Sequence, residues 1–278
     1  MDFDIVPASN YSLPGLVKLL NRGFEDYFIS IRFTTDMFSN MLRKDGIDLA
    51  DSRVLIADDK ECGIALIACR RALRTSRLAA MGIAREIRGK GAGSWFMKEL
   101  IRDACERSER EMVLEVIEQN EPAVKLYRRH GFESVRRLLG YTRQDKDTKE
   151  ARKKDLYKMD LDEMGRLIAQ HGLADLPWQL SPESITRMNP PAHAYRDGQA
   201  YIVLSNPEAE HVVIWSLLVE QEARGTGRGS ELLKGVRTHW HGKTWHIPAL
   251  CPEEFGIVFE RAGFEKEKLS QWQMKLEF

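Results

Sequence analysis

Two stretches govern how this chain reads: Arg88-Gly89-Lys90-Gly91-Ala92-Gly93 and Arg224-Gly225-Thr226-Gly227-Arg228-Gly229. Each has the form R-x-x-G-x-G and lies between an apolar run that reads as a strand and a run with helical spacing. Glycines at such a turn remove side chains, so that backbone N–H groups can converge on an anion. The helix start that follows adds unpaired amides and the positive end of its dipole. Together they suit a pyrophosphate, with positive charge from Arg88, Lys90, Arg224 and Arg228. A P-loop would need G-x-x-x-x-G-K-[ST] and a dinucleotide fingerprint G-x-G-x-x-G, whereas both loops here run G-x-G-x-G. A helix-entry turn that binds nothing is the alternative for one such loop. Two loops in register argue against it, most strongly for the first.

The two loops are 136 residues apart (224 − 88), and Gly131-Phe132 and Gly263-Phe264 are 132 apart (263 − 131). Near-equal offsets of two separate motifs point to a duplication. Around the first loop the periodicity predicts helices over 12–28 and 36–44 and strands over 53–57, 63–70 and 77–84. A helix over 92–107, a strand over 112–117, a helix over 122–129 and a strand over 132–142 follow. Residues 143–155 are a mixed charge run and read as a solvated loop, and 156–159 read as a short strand. The second round has a helix over 161–170, strands over 200–205 and 212–219, and a helix over 229–240. A strand over 244–247, a helix over 253–261 and a strand over 272–276 complete it. The expected division is therefore 1–160 and 161–278. The strand within 154–160 could close the first sheet or open the second.

A length of 278 residues fits about two domains. Hydrophobic residues make up 43% and charged ones 30%, a globular balance. Lys+Arg and Asp+Glu are both 42, so no basic excess suggests nucleic acid or a membrane surface as partner. The four cysteines form no CxxC pair, which suits buried thiols in a reducing compartment. The acidic start Met1-Asp2-Phe3-Asp4 lacks the apolar core of a secretory signal. A cytoplasmic protein is expected. His239, His241 and His246 cluster with Trp240 and Trp245, but no acid or cysteine completes a metal site at recognisable spacing, and none is expected.

Downstream of the first loop stand Leu114-Glu115-Val116, Asn120, Ala123, Leu126-Tyr127 and Gly131-Phe132. Loop and block together resemble the GCN5-related N-acetyltransferase (GNAT) superfamily. The block is similar to that of bacterial ribosomal-protein N-terminal alanine acetyltransferases. The duplication resembles tandem GNAT proteins, a group that includes mycothiol synthase. The resemblance implies an α/β fold with two mixed sheets, each splayed between its fourth and fifth strands to admit acetyl-CoA. It also implies a monomer with its domains packed as a pseudo-dimer. By resemblance, the backbone of Gly82, Ile83 and Ala84 pairs with the pantetheine arm. Arg88, Gly89, Lys90, Gly91, Ala92, Gly93 and Ser94 hold the pyrophosphate, and Asn120 contacts the pantetheine. Tyr127 sits by the thioester sulfur, and Glu115 is the candidate base. The acceptor is an amine on a small molecule or a peptide N-terminus, walled by the aromatic-rich segment 24–38.

Amine acylation explains these residue types. An alkylammonium is not a nucleophile, and the free amine is scarce at neutral pH because its pKa is roughly 10. A positioned base can take its proton, and an acid can protonate the leaving thiolate. Other readings of the same residues stay open at this point. Glu115 could face solvent on an edge strand, Tyr127 could be a packed aromatic, and Asn120 could cap a helix. Ordinary core packing could account for segment 24–38.

The second copy keeps its loop, with Leu218, Val219, Arg224, Gly225, Thr226, Gly227, Arg228 and Gly229 as a possible second cofactor site. It has Phe259, Pro252 and Ile247 where the first has Tyr127, Asn120 and Glu115. Chemistry is therefore expected in the first copy alone. A non-catalytic acyl-CoA sensor or a scaffold is the alternative function.

Overall fold

A computed structural model describes residues 2–29, 31–145 and 155–278. The chain forms two compact units, Met1–Val135 with Trp272–Phe278, and Arg136–Gln271. Contacts thus divide it differently from the 160/161 boundary expected from chain order.

The first unit contains β1 (Phe3–Pro7), α1 (Leu13–Gly23), α2 (Thr35–Asp45), β2 (Ile47–Ala57), β3 (Lys60–Arg70) and β4 (Thr75–Ile83). It continues with α3 (Ala92–Glu106), β5 (Glu111–Ile117), α4 (Glu121–Arg129) and the start of β6 (Glu133–Gln144). Its strands run β1-β2-β3-β4-β5 and end on the last strand of the chain, β12 (Glu265–Glu277). The alternate residues Trp272, Met274 and Leu276 of β12 face the core that Met112, Leu114, Phe96, Met97 and Phe132 also build. The Phe278 amide donates to the Arg110 carbonyl at the start of that seam.

The sequence placed 272–276 in the second copy. A strand's register against a distant partner has no local signal, so only packing revealed that the chain's end completes the first sheet.

The second unit runs from Arg136 in β6 through β7 (Tyr157–Met159), α5 (Leu161–His171), α6 (Pro182–Thr186), β8 (His193–Asp197) and β9 (Ala200–Leu204). Then come β10 (His211–Val219), α7 (Arg228–His239), β11 (Thr244–Pro252), α8 (Gly256–Arg261) and the first part of β12. Its strand order is β6-β11-β10-β9-β8-β7. Strand β7 pairs with β8, Tyr157 opposite Arg196, so it opens the second sheet. Strand β8 and helix α6 were not read from the sequence. In β8 the polar His193, Arg196 and Asp197 mask the apolar alternation.

Two expected bounds changed for identifiable reasons. Helix α1 stops at Gly23 instead of running to 28, because the backbone there presses on Gly82 of β4. A Cβ on Gly23 would stand 2.7 Å from the Gly82 Cα. The apolar spacing continues past Gly23 because Phe24 and Tyr27 meet edge to face, 4.9 Å between ring centroids, and not because the helix does. Of the expected solvated loop over 143–155, residues 146–154 lie outside the described residues. Asp145 is no solvated residue: its carboxylate collects Arg143, Arg237 and the Trp245 indole at 2.8, 2.6 and 2.9 Å. Burial pushes that carboxyl up, but those bonds outweigh it and hold it below the usual range.

Among the described residues, no helix is long and apolar enough to cross a membrane.

Candidate active site

Strands β4 and β5 are parallel and pair only over Thr75–Arg77 with Glu111–Val113. Beyond that ladder β4 runs on to Ile83 and β5 to Ile117, so a gap opens between the fourth and fifth strands. Strands β10 and β11 repeat this, pairing over His211–Val213 with Thr244–His246 and then parting. Each fourth-position strand carries one extra residue against its antiparallel neighbour, Ala79 in β4 and Trp215 in β10.

Both glycine loops lead from such a strand into a helix. Gly89 and Gly91 have φ of 75° and 86°, and Gly225 and Gly227 have 76° and 88°. A side chain would be strained at each, and a Cβ there would meet nothing within 4 Å, so the loop backbones face open space. Gly91 and Gly227 are the N-cap residues of α3 and α7, and no side chain caps either helix. Helices α1, α2, α4, α5 and α6 are capped by Ser12, Thr34, Asn120, Asp160 and Ser181. The amides at the start of α3 and α7 are thus left for an outside acceptor, the arrangement a pyrophosphate requires.

The expected loop residues divide by role. Arg88 does not point its guanidinium into this space. Its Nε donates to the Ile83 carbonyl at 2.8 Å, and its Nη2 to the carbonyls of Gly23 and Glu25 at 3.0 and 3.2 Å. It pins the loop to the end of α1. Arg224 does the same job, reaching the carbonyls of Val219 and His171. Lys90 is exposed beside the glycines. Ser94 is bonded to His130 at 2.9 Å, Thr226 to the Ala223 carbonyl at 2.6 Å, and Arg228 to Glu231 at 3.3 Å.

On β4 the Ala84 amide donates to the Cys62 carbonyl. Backbone groups of alternate residues point the same way, so Gly82 also turns toward β3, while Ile83 and Met81 turn toward the gap. Met81 escaped the sequence reading, since strand facing depends on register. In the second unit the Glu220 amide donates to the Gln199 carbonyl, so Leu218 turns toward β9 and Val219 toward the gap.

Opposite the first loop, Asn120 Oδ1 accepts from the Ala123 amide at 3.3 Å and caps α4. Its side chain also bonds the Tyr27 phenol, partly offsetting the rise that burial causes in Tyr27. Tyr127 is 8% exposed, and burial first, then the neighbouring Tyr27, push its phenol up. It therefore stays protonated at neutral pH, the form that donates. Tyr27, Asn120 and Tyr127 thus gather at one place. In the sequence Tyr27 stood out only as one of a wall of aromatics, because residues 24–38 carry no motif.

Glu115 is neither solvent-facing nor free. Its side chain is 2% exposed and accepts from Arg77 Nε at 2.7 Å, and Arg77 also meets Asp45 at 3.3 Å. Arg77 is itself buried. Desolvation opposes its charge, yet Glu115 and Asp45 outweigh it and raise its pKa. Nearby Lys44 is lowered to about 8, by burial first and by Arg77, with Asp45 opposing.

The second unit keeps the geometry without the groups. The Phe259 and Phe264 centroids are 5.8 Å apart, as are those of Tyr127 and Phe132. The Phe264 amide donates to the Phe259 carbonyl as Phe132 does to Tyr127, so the two positions are equivalent in space.

Residues 16–132 match the family model described as "Acetyltransferase (GNAT) family". Among curated proteins no relative matches the chain by sequence. Among solved structures it is similar to a GCN5-related N-acetyltransferase from Sphaerobacter thermophilus, with TM-score 0.68 and 17% identity over 99% of this chain and 95% of that one. The tandem GNAT protein from the clavulanic acid biosynthesis pathway, described without AcCoA, gives TM-score 0.66 and 15% identity over 99% and 98%. A GCN5-related N-acetyltransferase from Anabaena variabilis gives 0.60 and 17% over 98% and 72%.

Proposed function

We propose that the chain, whose residues 16–132 match the acetyltransferase (GNAT) family model, moves an acetyl group from acetyl-CoA to an amine. The first unit carries the chemistry. One observation supports this above the rest: an uncapped helix start on Gly89 and Gly91 opens beside a splayed strand pair, and Asn120 and Tyr127 stand on the other side of that gap.

The amides at 89–94 would hold the pyrophosphate, with Lys90 adding charge, and the backbone at Met81 and Ile83 would line the pantetheine arm. The thioester supplies an acyl carbon open to attack and a thiolate to be protonated. Tyr127 is the proton donor. A backbone amide on the gap side of β4 stabilises the oxyanion. Glu115 is the proton acceptor, and an incoming ammonium has to compete with Arg77 for it. The acceptor is a small-molecule amine or a peptide N-terminus.

Gly91→Glu tests the cofactor half of this reading. It puts a carboxylate where the pyrophosphate belongs and strains a backbone at φ 86°. Acetyl transfer should vanish while the protein still folds, its unfolding midpoint lowered only by the roughly 1–2 kcal/mol of one strained residue. Unchanged turnover in that variant would remove the main support for the first cleft. An acceptor panel with acetyl-CoA, read by free thiol, then separates an enzyme from an acyl-CoA sensor, since a sensor releases none.

Glu115→Gln tests the base. Gln keeps a hydrogen bond to Arg77, and Asp45 still pairs with the guanidinium, so the full cost of about 3–5 kcal/mol for orphaning a buried charge is avoided. Turnover should fall most at low pH, where free amine is scarcest, with acetyl-CoA affinity unchanged. Full activity with an unchanged pH profile would leave Glu115 a purely structural ion-pair partner.

A further inference from the structure

The second unit holds a cavity of about 520 Å³ between β10 and β11, within the range of small-molecule sites. Gly225, Gly227 and Ser230 of the second glycine loop lie along it. So do Pro248, Pro252 and Phe259, which stand where the first unit has Glu115, Asn120 and Tyr127: the ladders opened by Thr75–Glu111 and His211–Thr244 put Pro248 at the Glu115 position and Ile247, expected there from the residue count, at that of Leu114. Every polar group of the proposed chemistry is thus replaced by an apolar one, and all three replacements face the same space.

The rest of the wall continues the trend, with Leu173, Leu176, Leu180 and the bulge residue Trp215, whose counterpart in the first unit is Ala79. The charged residues of the lining are Arg224, Arg228, Glu254 and Arg261. Arg224 is held by backbone carbonyls, Arg228 by Glu231, and Glu254 by Arg136 at 2.9 Å. The loop meanwhile keeps the φ values of the first loop to within a few degrees and the same arginine anchor. A pocket that had merely decayed would have no reason to hold its anion loop in shape while the positions of the proposed chemistry turned apolar.

We propose that the second cleft holds a coenzyme A thioester whose acyl group is an apolar chain longer than acetyl, and holds it without transfer. The wall formed by Leu173, Leu176, Leu180 and Trp215 takes the chain, and the loop at 225–229 takes the phosphates. No bond forms or breaks there, because Phe259 offers no proton and Pro248, at the Glu115 position, accepts none. This rests on the reading of the glycine loops as phosphate cradles, and its test is separable from catalysis in the first unit.

The experiment uses the full chain carrying Gly91→Glu, which closes the first loop. It is titrated calorimetrically with coenzyme A and its acetyl, butanoyl, hexanoyl and octanoyl thioesters. Each buried methylene contributes about 0.8 kcal/mol, so affinity should rise about fourfold per methylene until the cavity is full. Gly227→Glu added to this background should abolish binding of all of them. Leu176→Trp, which fills the cavity, should erase the gain with chain length. Thiol release with an amine panel should be absent in the Gly91→Glu background. Equal affinity for acetyl and hexanoyl thioesters, or binding that survives Gly227→Glu, overturns the inference. Thiol release in that background overturns its non-catalytic part. If wild-type protein acetylates no amine yet the chain-length series holds, the first-cleft reading fails and this one stands.

Discussion

Deleting Trp272–Phe278 should abolish acetyl transfer and unfold the first unit while leaving the second glycine loop and its cavity intact. These seven residues belong to the first unit although they end the chain. Met274 is fully buried, and Trp272 and Leu276 pack on the same core as Leu114 and Phe132. Full burial of such a side chain contributes about 1.5–3 kcal/mol, so losing Met274 and the two partly buried neighbours removes an amount comparable with the lower part of the roughly 5–15 kcal/mol that stabilises a typical domain. The deletion also bares the edge of β5, and an unpaired apolar edge invites aggregation.

Amide exchange would show it directly: protection should collapse across β2–β5 and survive across β9–β11. Met274→Ala is the milder version. It should cost about 2–5 kcal/mol, the range for truncating a buried large residue, and lower the unfolding midpoint of the first unit. A deletion variant with full turnover would mean that β12 is dispensable to the unit its side chains pack on. A truncated chain ending near residue 160 should fail for the same reason.

Tyr127→Phe should lower turnover about 10²-fold or more, the scale of a positioned acid, if thiolate departure limits the rate. Its fold should be untouched, since the second unit already has this substitution in place. Phe259 occupies the same packing position, 5% exposed and at the same 5.8 Å from its partner ring. The two differ by one hydroxyl. Phe259→Tyr should leave turnover unchanged, because Pro248 and Pro252 supply neither base nor amide. The measurement is steady-state turnover together with acetyl-CoA affinity, and only turnover should move. If Tyr127→Phe keeps full activity and damage to loop 224–229 destroys it, the chemistry lies in the second cleft and the roles of the two units are exchanged.

Tyr27 adds a condition. Its bond to Asn120 and its closeness to Tyr127 place an aromatic ring beside the two residues assigned to the thioester end of the cofactor. In the first unit the segment expected to wall the acceptor therefore reaches residues proposed for the cofactor side.

Local and repeated features were legible in the residues alone. The glycine loops stood out because a positive φ beside a helix start calls for glycine at fixed spacing, and two copies removed chance. The equivalence of Tyr127 and Phe259 followed from their shared distance to a Gly-Phe. The helices α3 and α4 and most strands followed from periodicity.

Whatever depends on a partner far away in the chain became visible only in the folded molecule. Packing set which unit β12 completes, since an alternating Trp-x-Met-x-Leu fits any apolar face. Arg88 proved to anchor backbone, and Ala84 to give its amide to Cys62, because the facing of a strand is a matter of register. Glu115 sits in a buried pair with Arg77, 38 residues earlier, and charge pairing across parallel strands leaves no trace in local pattern. Folding also brought Pro252, Phe259 and Pro248, which strand register and not residue count puts at the Glu115 position, onto one cavity with Trp215. In sequence they look like three losses; in space they line the same cavity.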